Sequence, residues 1–250
     1  AKVELTDAQG SVLAPMTRCH DKGMFETTLD HEENDYRFLV WTSSDDSYLV
    51  DDPYRFTSPL GELDLHLLGE GSHQKLYEKL GAHVMTFEGV KGTHFSVWAP
   101  NAQRVSVVGS FNNWDGRRHP MRLHISNGIW DSFVPEVGDG DYYKFALVNK
   151  DGQLLPLKTD PLAQHFEGPP GNASRVYTSR FEWTDTTWME ARPTTPDLAK
   201  PISIYEVHLG SWRRIAEGGD RALTYRELSS TLIDYVSTMG FTHIELLPVT

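Results

Sequence analysis

The 250-residue sequence holds a single cysteine, Cys19, so no internal disulfide can form and the chain fits a reducing compartment. It lacks any apolar run near the roughly 18 residues of a membrane span. Its first residues, Ala1-Lys2-Val3-Glu4-Leu5, have neither the charge pattern nor the apolar core of a signal peptide. A cytoplasmic location without a membrane partner is therefore expected, and Asn172-Ala173-Ser174 reads as a chance sequon. Positive charge is scarce: 23 Lys and Arg against 35 Asp and Glu leave a net charge of −12. That balance argues against nucleic acid, whose binding draws on clustered cations, but does not deter a neutral partner. Metal-ligand spacing is missing too, since the 11 His form no His-x-x-x-His pair and have no Cys partners. Gly69-Glu70-Gly71 and Gly138-Asp139-Gly140 lack the further glycine and helix of a phosphate loop and read as turns.

What is present begins with 39% hydrophobic residues, enough to build cores. Phe95, Val97 and Ala99 alternate with polar residues. After the turn at Pro100-Asn101, Val105, Val107 and Gly109 do the same. Gly128-Ile129-Trp130 opens another strand, and Tyr143, Phe145 and Leu147 alternate with Lys144 and Ala146. Turn signals at Asn112-Asn113, Gly138-Asp139-Gly140 and Asp151-Gly152 separate these strands, which predict a β-sandwich over roughly residues 84–180.

A weaker copy of the pattern precedes it. Gly23-Met24-Phe25, Tyr36 to Val40 and Asp52-Pro53 parallel Gly128-Ile129-Trp130, Tyr143 to Leu147 and Asp160-Pro161. Tyr to Asp spans sixteen residues in one copy and seventeen in the other, which predicts two related β modules in tandem. The first copy lacks an equivalent of the Phe95 strand, so its sandwich is expected to be incomplete, with an exposed strand edge. Ser72 to Leu80 predicts a short helix ended by Gly81.

After residue 190 the pattern changes. Arg192-Pro193-Thr194-Thr195-Pro196 reads as a linker. Ile202–Leu209 and Phe241–Pro248 read as strands buried on both faces. Between them Thr224-Tyr225-Arg226-Glu227 is a capping box opening a helix along Leu228, Leu232, Tyr235, Val236 and Met239, stopped by Gly240. This β-α-β unit should have parallel strands. Alone it cannot bury its apolar faces, so the chain is expected to be cut there.

The acidic doublets Glu32-Glu33, Asp45-Asp46 and Asp51-Asp52 read as solvated loops. Glycosidic chemistry needs two carboxyls converging across a cleft, roughly 5–5.5 Å apart for retention, and nothing here supplies that pair. No catalytic residue is assigned. Gly109-Ser110-Phe111-Asn112-Asn113-Trp114-Asp115-Gly116 is different. A Trp just after a strand, in an Asn-rich turn, is poorly placed to fill a core and suited to lie flat on the C–H face of a sugar ring. Lys144 could donate to hydroxyls beside it. The bland alternative is that Trp114 packs on the edge of the sandwich.

Phe95 to Ala102, Val105 to Gly109 and Phe111-Asn112-Asn113-Trp114-Asp115 resemble the glycogen-binding module found before many α-amylase-superfamily barrels. Residues 202–212 and 240–248 resemble the first two barrel strands of 1,4-α-glucan branching enzymes. Asp51 to Phe56 and Leu80-Gly81-Ala82-His83 are similar to bacterial members with an extra N-terminal β module. The resemblance implies a mainly β chain of tandem immunoglobulin-like β-sandwich modules, followed by the first β-α-β of a truncated (β/α)8 barrel. It divides the chain into a truncated sandwich at 1–68, a linker helix at 69–83 and a glycogen-binding sandwich at 84–190. A linker at 191–201 and an incomplete barrel at 202–250 follow.

The resemblance also implies an α-glucan partner (glycogen, amylose or maltooligosaccharides), a sugar-stacking Trp114, a sugar-contacting Lys144 and a polar contact at Asn172. Leu154 stands where some relatives carry a second stacking aromatic. The family needs no cofactor or metal. Its catalytic carboxylates lie on later barrel strands, so this chain alone should be inactive. A non-catalytic glycogen-binding protein, or a debranching or trehalose-releasing hydrolase, are the alternatives.

Overall fold

The computed structural model describes residues 2–42, 46–192 and 200–249, and is mainly β. It divides into two compact units, 1–180 and 181–250.

The first unit opens with five short antiparallel strands. They are β1 (Lys2–Asp7), β2 (Val12–His20), β3 (Met24–Glu26), β4 (Tyr36–Trp41) and β5 (Ser47–Asp51), in the order β3-β2-β1-β4-β5. Two further antiparallel sheets follow. One holds β6 (Gly81–Phe87), β7 (Val90–Trp98), β9 (Arg122–His124) and β10 (Ile129–Pro135), in the order β6-β7-β10-β9. The other holds β8 (Ala102–Gly109), β11 (Tyr142–Asn149) and β12 (Ser174–Arg175), in the order β12-β11-β8. The expected alternation places Phe95, Val97, Trp130 and Val134 of one sheet against Val105, Val107, Tyr143 and Phe145 of the other in one buried cluster.

Residues 56–80 cover the outer face of the four-stranded sheet. Phe56 meets Phe133 edge-on at 4.8 Å, and Ser58 donates to the buried Asp131 carboxylate at 2.7 Å. Leu65 and Leu68 of helix α1 (Glu62–Glu70) pack with Leu60, Leu80 and Ile129. This corrects the helix expected at Ser72–Leu80, where only a single 3-10 turn forms at Leu76–Glu78. Leu63, Leu65 and Leu67 recur at period two, which hid the real helix. Gly69-Glu70 closes that helix, and Gly71 caps it at φ 72°.

The acidic doublets also need correcting. Asp51 is buried and paired with Arg37 and Arg55, and Asp52 accepts from the Tyr36 hydroxyl. Those donors flank the end of β5, a setting invisible in the sequence. Asp45 lies outside the described residues.

The second unit contains α2 (Thr186–Ala191), β13 (Ile204–Val207), α3 (Leu209–Trp212), the small pair β14 (Arg214–Ile215) and β15 (Arg221–Ala222), α4 (Tyr225–Thr238) and β16 (His243–Leu246). β13 and β16 pair in parallel. The capping box forms: the Glu227 carboxylate accepts from Thr224 N–H at 2.7 Å, and the Thr224 hydroxyl accepts from Glu227 N–H. Leu228, Leu232 and Val236 are buried, while Met239 at the helix end is exposed. The strands are shorter than expected and mostly exposed, Ile244 and Leu246 included. Two strands and one helix cannot cover both faces of a sheet. Residues 193–199 of the expected linker lie outside the described residues.

Candidate functional site

The site grows from the outer face of the three-stranded sheet. Tyr143 and Phe145 point into the core, so Lys144 and Ala146 lie on the opposite face, across from Val108 and Ser106 of β8. The chain leaving β8 folds back over that face: a Cβ on Gly116 would sit 3.4 Å from the Ala146 Cβ and 3.7 Å from Val108. This cover buries Val108 and Ala146 although they face away from the core.

The turn that carries Trp114 is tightly specified. Gly109 is required because a Cβ there would run into the Tyr142 carbonyl and the Phe111 ring. Asn113 and Trp114 both sit in the left-handed region, at φ 55° and 60°, which a bulky residue such as Trp rarely adopts. Trp114 N–H donates to the Gly109 carbonyl at 3.0 Å. The Trp114 side chain remains 40% exposed, so it is no core residue. Asp115 accepts from Arg117 at 2.7 Å and Arg118 stands 4.0 Å away; these bonds hold its carboxyl far below the usual range.

Lys144 Nζ donates to Asn172 Oδ1, so the structure brings these two residues together. The Asn172 carbonyl accepts from the Thr159 hydroxyl at 2.8 Å, tying its loop to the segment whose Lys158 bridges Phe145. Leu154 bridges to Val148, four residues along β11 from Lys144, and is 68% exposed. None of these residues lines the cleft of about 870 Å³ beside Trp98, whose walls are mostly apolar. The site is an open face rather than a pocket.

Residues 79–163 match the family model for carbohydrate-binding module 48 (isoamylase N-terminal domain). The chain is 52% identical over 248 residues to the 1,4-alpha-glucan branching enzyme GlgB of Rhodospirillum rubrum, covering 98% of this chain and 33% of that protein. It is 50% identical over 235 residues to its counterpart in Paramagnetospirillum magneticum, covering 94% and 32%. The chain thus resembles 1,4-alpha-glucan branching enzymes along nearly its whole length. The chain spans about a third of the length of the curated relatives it matches. Among solved structures, pullulanase type I from Bacillus subtilis complexed with maltose aligns at a TM-score of 0.51 and 21% identity, over 99% of this chain and 34% of that one. At that identity the likeness speaks for the fold alone.

Two residues that sequence reasoning passed over support the Trp114 turn. Asn112 and His119 brace the Trp114 turn from below, and both are largely withdrawn from solvent. The signal was available for Asn112: an Asn two residues before a Trp in a turn commonly bonds nearby backbone. His119 gave no signal, because its partner is seven residues away and only the folded turn joins them. No helix among the described residues is long and apolar enough to cross a membrane.

Proposed function

We propose that this chain supplies α-glucan binding to a branching enzyme that cleaves an α-1,4 bond and transfers the chain to a 6-hydroxyl. The observation that carries the reading is the Trp114 turn: a partly exposed indole held in a left-handed backbone, in a turn whose continuation at Gly116 covers the sheet face of Lys144, itself bonded to Asn172. An indole there offers a flat apolar platform to a sugar ring, and Lys144 with Asn172 offers hydroxyl partners beside it. Leu154 extends the face with apolar bulk but cannot stack as an aromatic would.

The domain plan follows the same reading. The modules expected at 1–68 and 84–190, joined through 69–83, take shifted bounds: residues 56–80 pack on the second module, its strands begin at Gly81, and 181–190 fall in the second unit, while 202–250 opens a (β/α)8 barrel beyond a linker at 191–201. Relatedness of the modules is supported by a shared tie: Tyr36 donates to Asp52 at 2.8 Å, and Tyr143 donates to Asp160 at 2.6 Å. The parallel β13-α4-β16 unit speaks against a stand-alone binding module, which would not need it. With no converging carboxylate pair assigned among the described residues, the chain alone should form no branches.

The test is Trp114→Ala, read by both maltoheptaose affinity and melting temperature. Loss of the platform costs about 1–3 kcal/mol, or roughly five- to a hundredfold in affinity, with the melt unchanged. A lower melt with affinity intact would make Trp114 a packing residue and place binding elsewhere.

A further inference from the structure

We propose that Asn112 and His119 are positioning residues that aim Trp114, through a lock that requires a neutral imidazole accepting at Nδ1. The value of that lock for glucan rests on the reading of Trp114 given above.

Asn112 is 1% exposed. Its Oδ1 accepts from Gly109 N–H at 2.9 Å, and its Nδ2 donates to the Val107 carbonyl at 3.0 Å. A backbone N–H can only donate and a carbonyl can only accept, so these two bonds fix which end of the amide is which. The second Nδ2 hydrogen then faces His119 Nδ1 at 2.8 Å. That ring nitrogen must offer a lone pair. The imidazole is therefore neutral, with its proton on Nε2.

The far side of the lock is fixed as well. His119 is tied to β8 by its own carbonyl, which accepts from Val107 N–H at 3.0 Å, and its ring meets Phe111 edge-on at 5.7 Å. Asn112 thus joins three points: the end of β8, the start of the turn at Gly109, and the returning chain at His119. Between those points lie Asn113 and Trp114 in consecutive left-handed conformations. Such backbone persists only where its surroundings over-determine it.

The groups packed around the ring favour the neutral form. Those from β8 and the turn, namely Val107, Phe111 and Asn112, carry no charge. Arg118, next in the chain, repels a proton, and Asp115 is engaged by Arg117 and Arg118. Burial first and Arg118 second push His119 down to about 4, so the lock stays closed at neutral pH.

Two variants of the full chain separate the acceptor from the bulk. His119→Leu keeps an apolar side chain of similar reach and removes the acceptor. His119→Asn places an oxygen where Nδ1 stood and removes the ring. The first readout is the Trp114 indole N–H resonance, identified by its absence from Trp114→Ala; the second is maltoheptaose affinity at pH 7. His119→Leu should displace the resonance and weaken binding about five- to thirtyfold, whereas His119→Asn should keep the resonance in place and affinity within about threefold. An undisplaced resonance in His119→Leu, or equal displacement in both variants, would overturn the lock. If the resonance separates the variants as stated while the unmutated chain binds no maltoheptaose, the positioning role stands and the glucan reading falls.

Discussion

The two copies of the β module share one local device and differ in what covers it. In the first, the Tyr36 hydroxyl donates to one Asp52 oxygen while the other accepts from Tyr54 N–H at 2.9 Å. In the second, Tyr143 donates to one Asp160 oxygen while the other accepts from Leu162 N–H at 2.8 Å. Each Tyr stands at the same place in its strand pair, opposite Asp7 in one copy and Gly109 in the other. Tyr143 and Asp160 are fully buried between two sheets, whereas Tyr36 and Asp52 are only half-buried. Burial, with the neighbouring aspartate adding to it, pushes both tyrosines well above their ordinary range. Burial also pushes Asp160 up. The hydrogen-bonded shape is therefore local, and its energetic weight comes from the cover.

Acid should expose the largest difference between the copies. The second copy contains two imidazoles held below their ordinary value, His94 and His119, both chiefly by burial. A base whose folded pKa is depressed is protonated first in the unfolded chain. Its stabilisation is present above about 6.5 and is lost as pH falls toward the folded value. For His119 the window runs from 6.5 to about 4 and the loss is on the order of 3 kcal/mol. Urea unfolding between pH 7 and pH 4.5 should show this decline in the 81–180 sandwich, less steeply in His119→Asn. Parallel declines in the two proteins would remove His119 as the cause.

The tyrosines give the next largest contrast. Tyr143→Phe takes the hydroxyl from a buried carboxyl group and should cost about 1–3 kcal/mol. Tyr36→Phe should cost about 0.5 kcal/mol, since water can reach Asp52 in its place. Thermal melts of the two variants decide it. Equal losses would mean that cover does not set the weight of the bond.

The same contrast explains what could be read from the sequence. The strand alternation, the capping box at Thr224 and the sixteen- and seventeen-residue Tyr–Asp spacings are local patterns, and each appears in the structure as a strand, a cap or a bond. The turn that carries Trp114 and the strand position of Lys144 were legible from the residues, whereas Asn172 entered only through resemblance. Long-range cover was not legible. Helix α1 carries its leucines at a strand-like period and owes its helical state to packing on Ile129 and Leu80. Asp51 looked solvated because its partners, Arg37 and Arg55, meet it only across strands and a turn. His119 was missed because Asn112 makes it an acceptor only once the turn has closed.

The smallest effect separates the copies by use. Arg37 and Lys144 each follow the tyrosine of their copy, yet they are engaged differently. Arg37 Nε is 3.3 Å from the buried Asp51 carboxylate, which also pairs with Arg55 at 3.1 Å. Lys144 donates to the neutral Asn172 amide at the surface. A cation held by a buried carboxylate is structural, because releasing it strands the anion. A cation on a neutral amide exchanges partners readily, since a sugar hydroxyl or water can replace that amide. Lys144→Ala should therefore weaken maltoheptaose binding by less than about 1 kcal/mol, at most about fivefold, and leave the melt unchanged. Arg37→Ala should do the reverse, lowering stability by about 1 kcal/mol with affinity intact, because Arg55 still covers Asp51. Added salt should change the binding little, the ligand being neutral. If Arg37→Ala weakened binding as much as Lys144→Ala, the first copy would be a second glucan-binding module and the division of roles between the copies would fail.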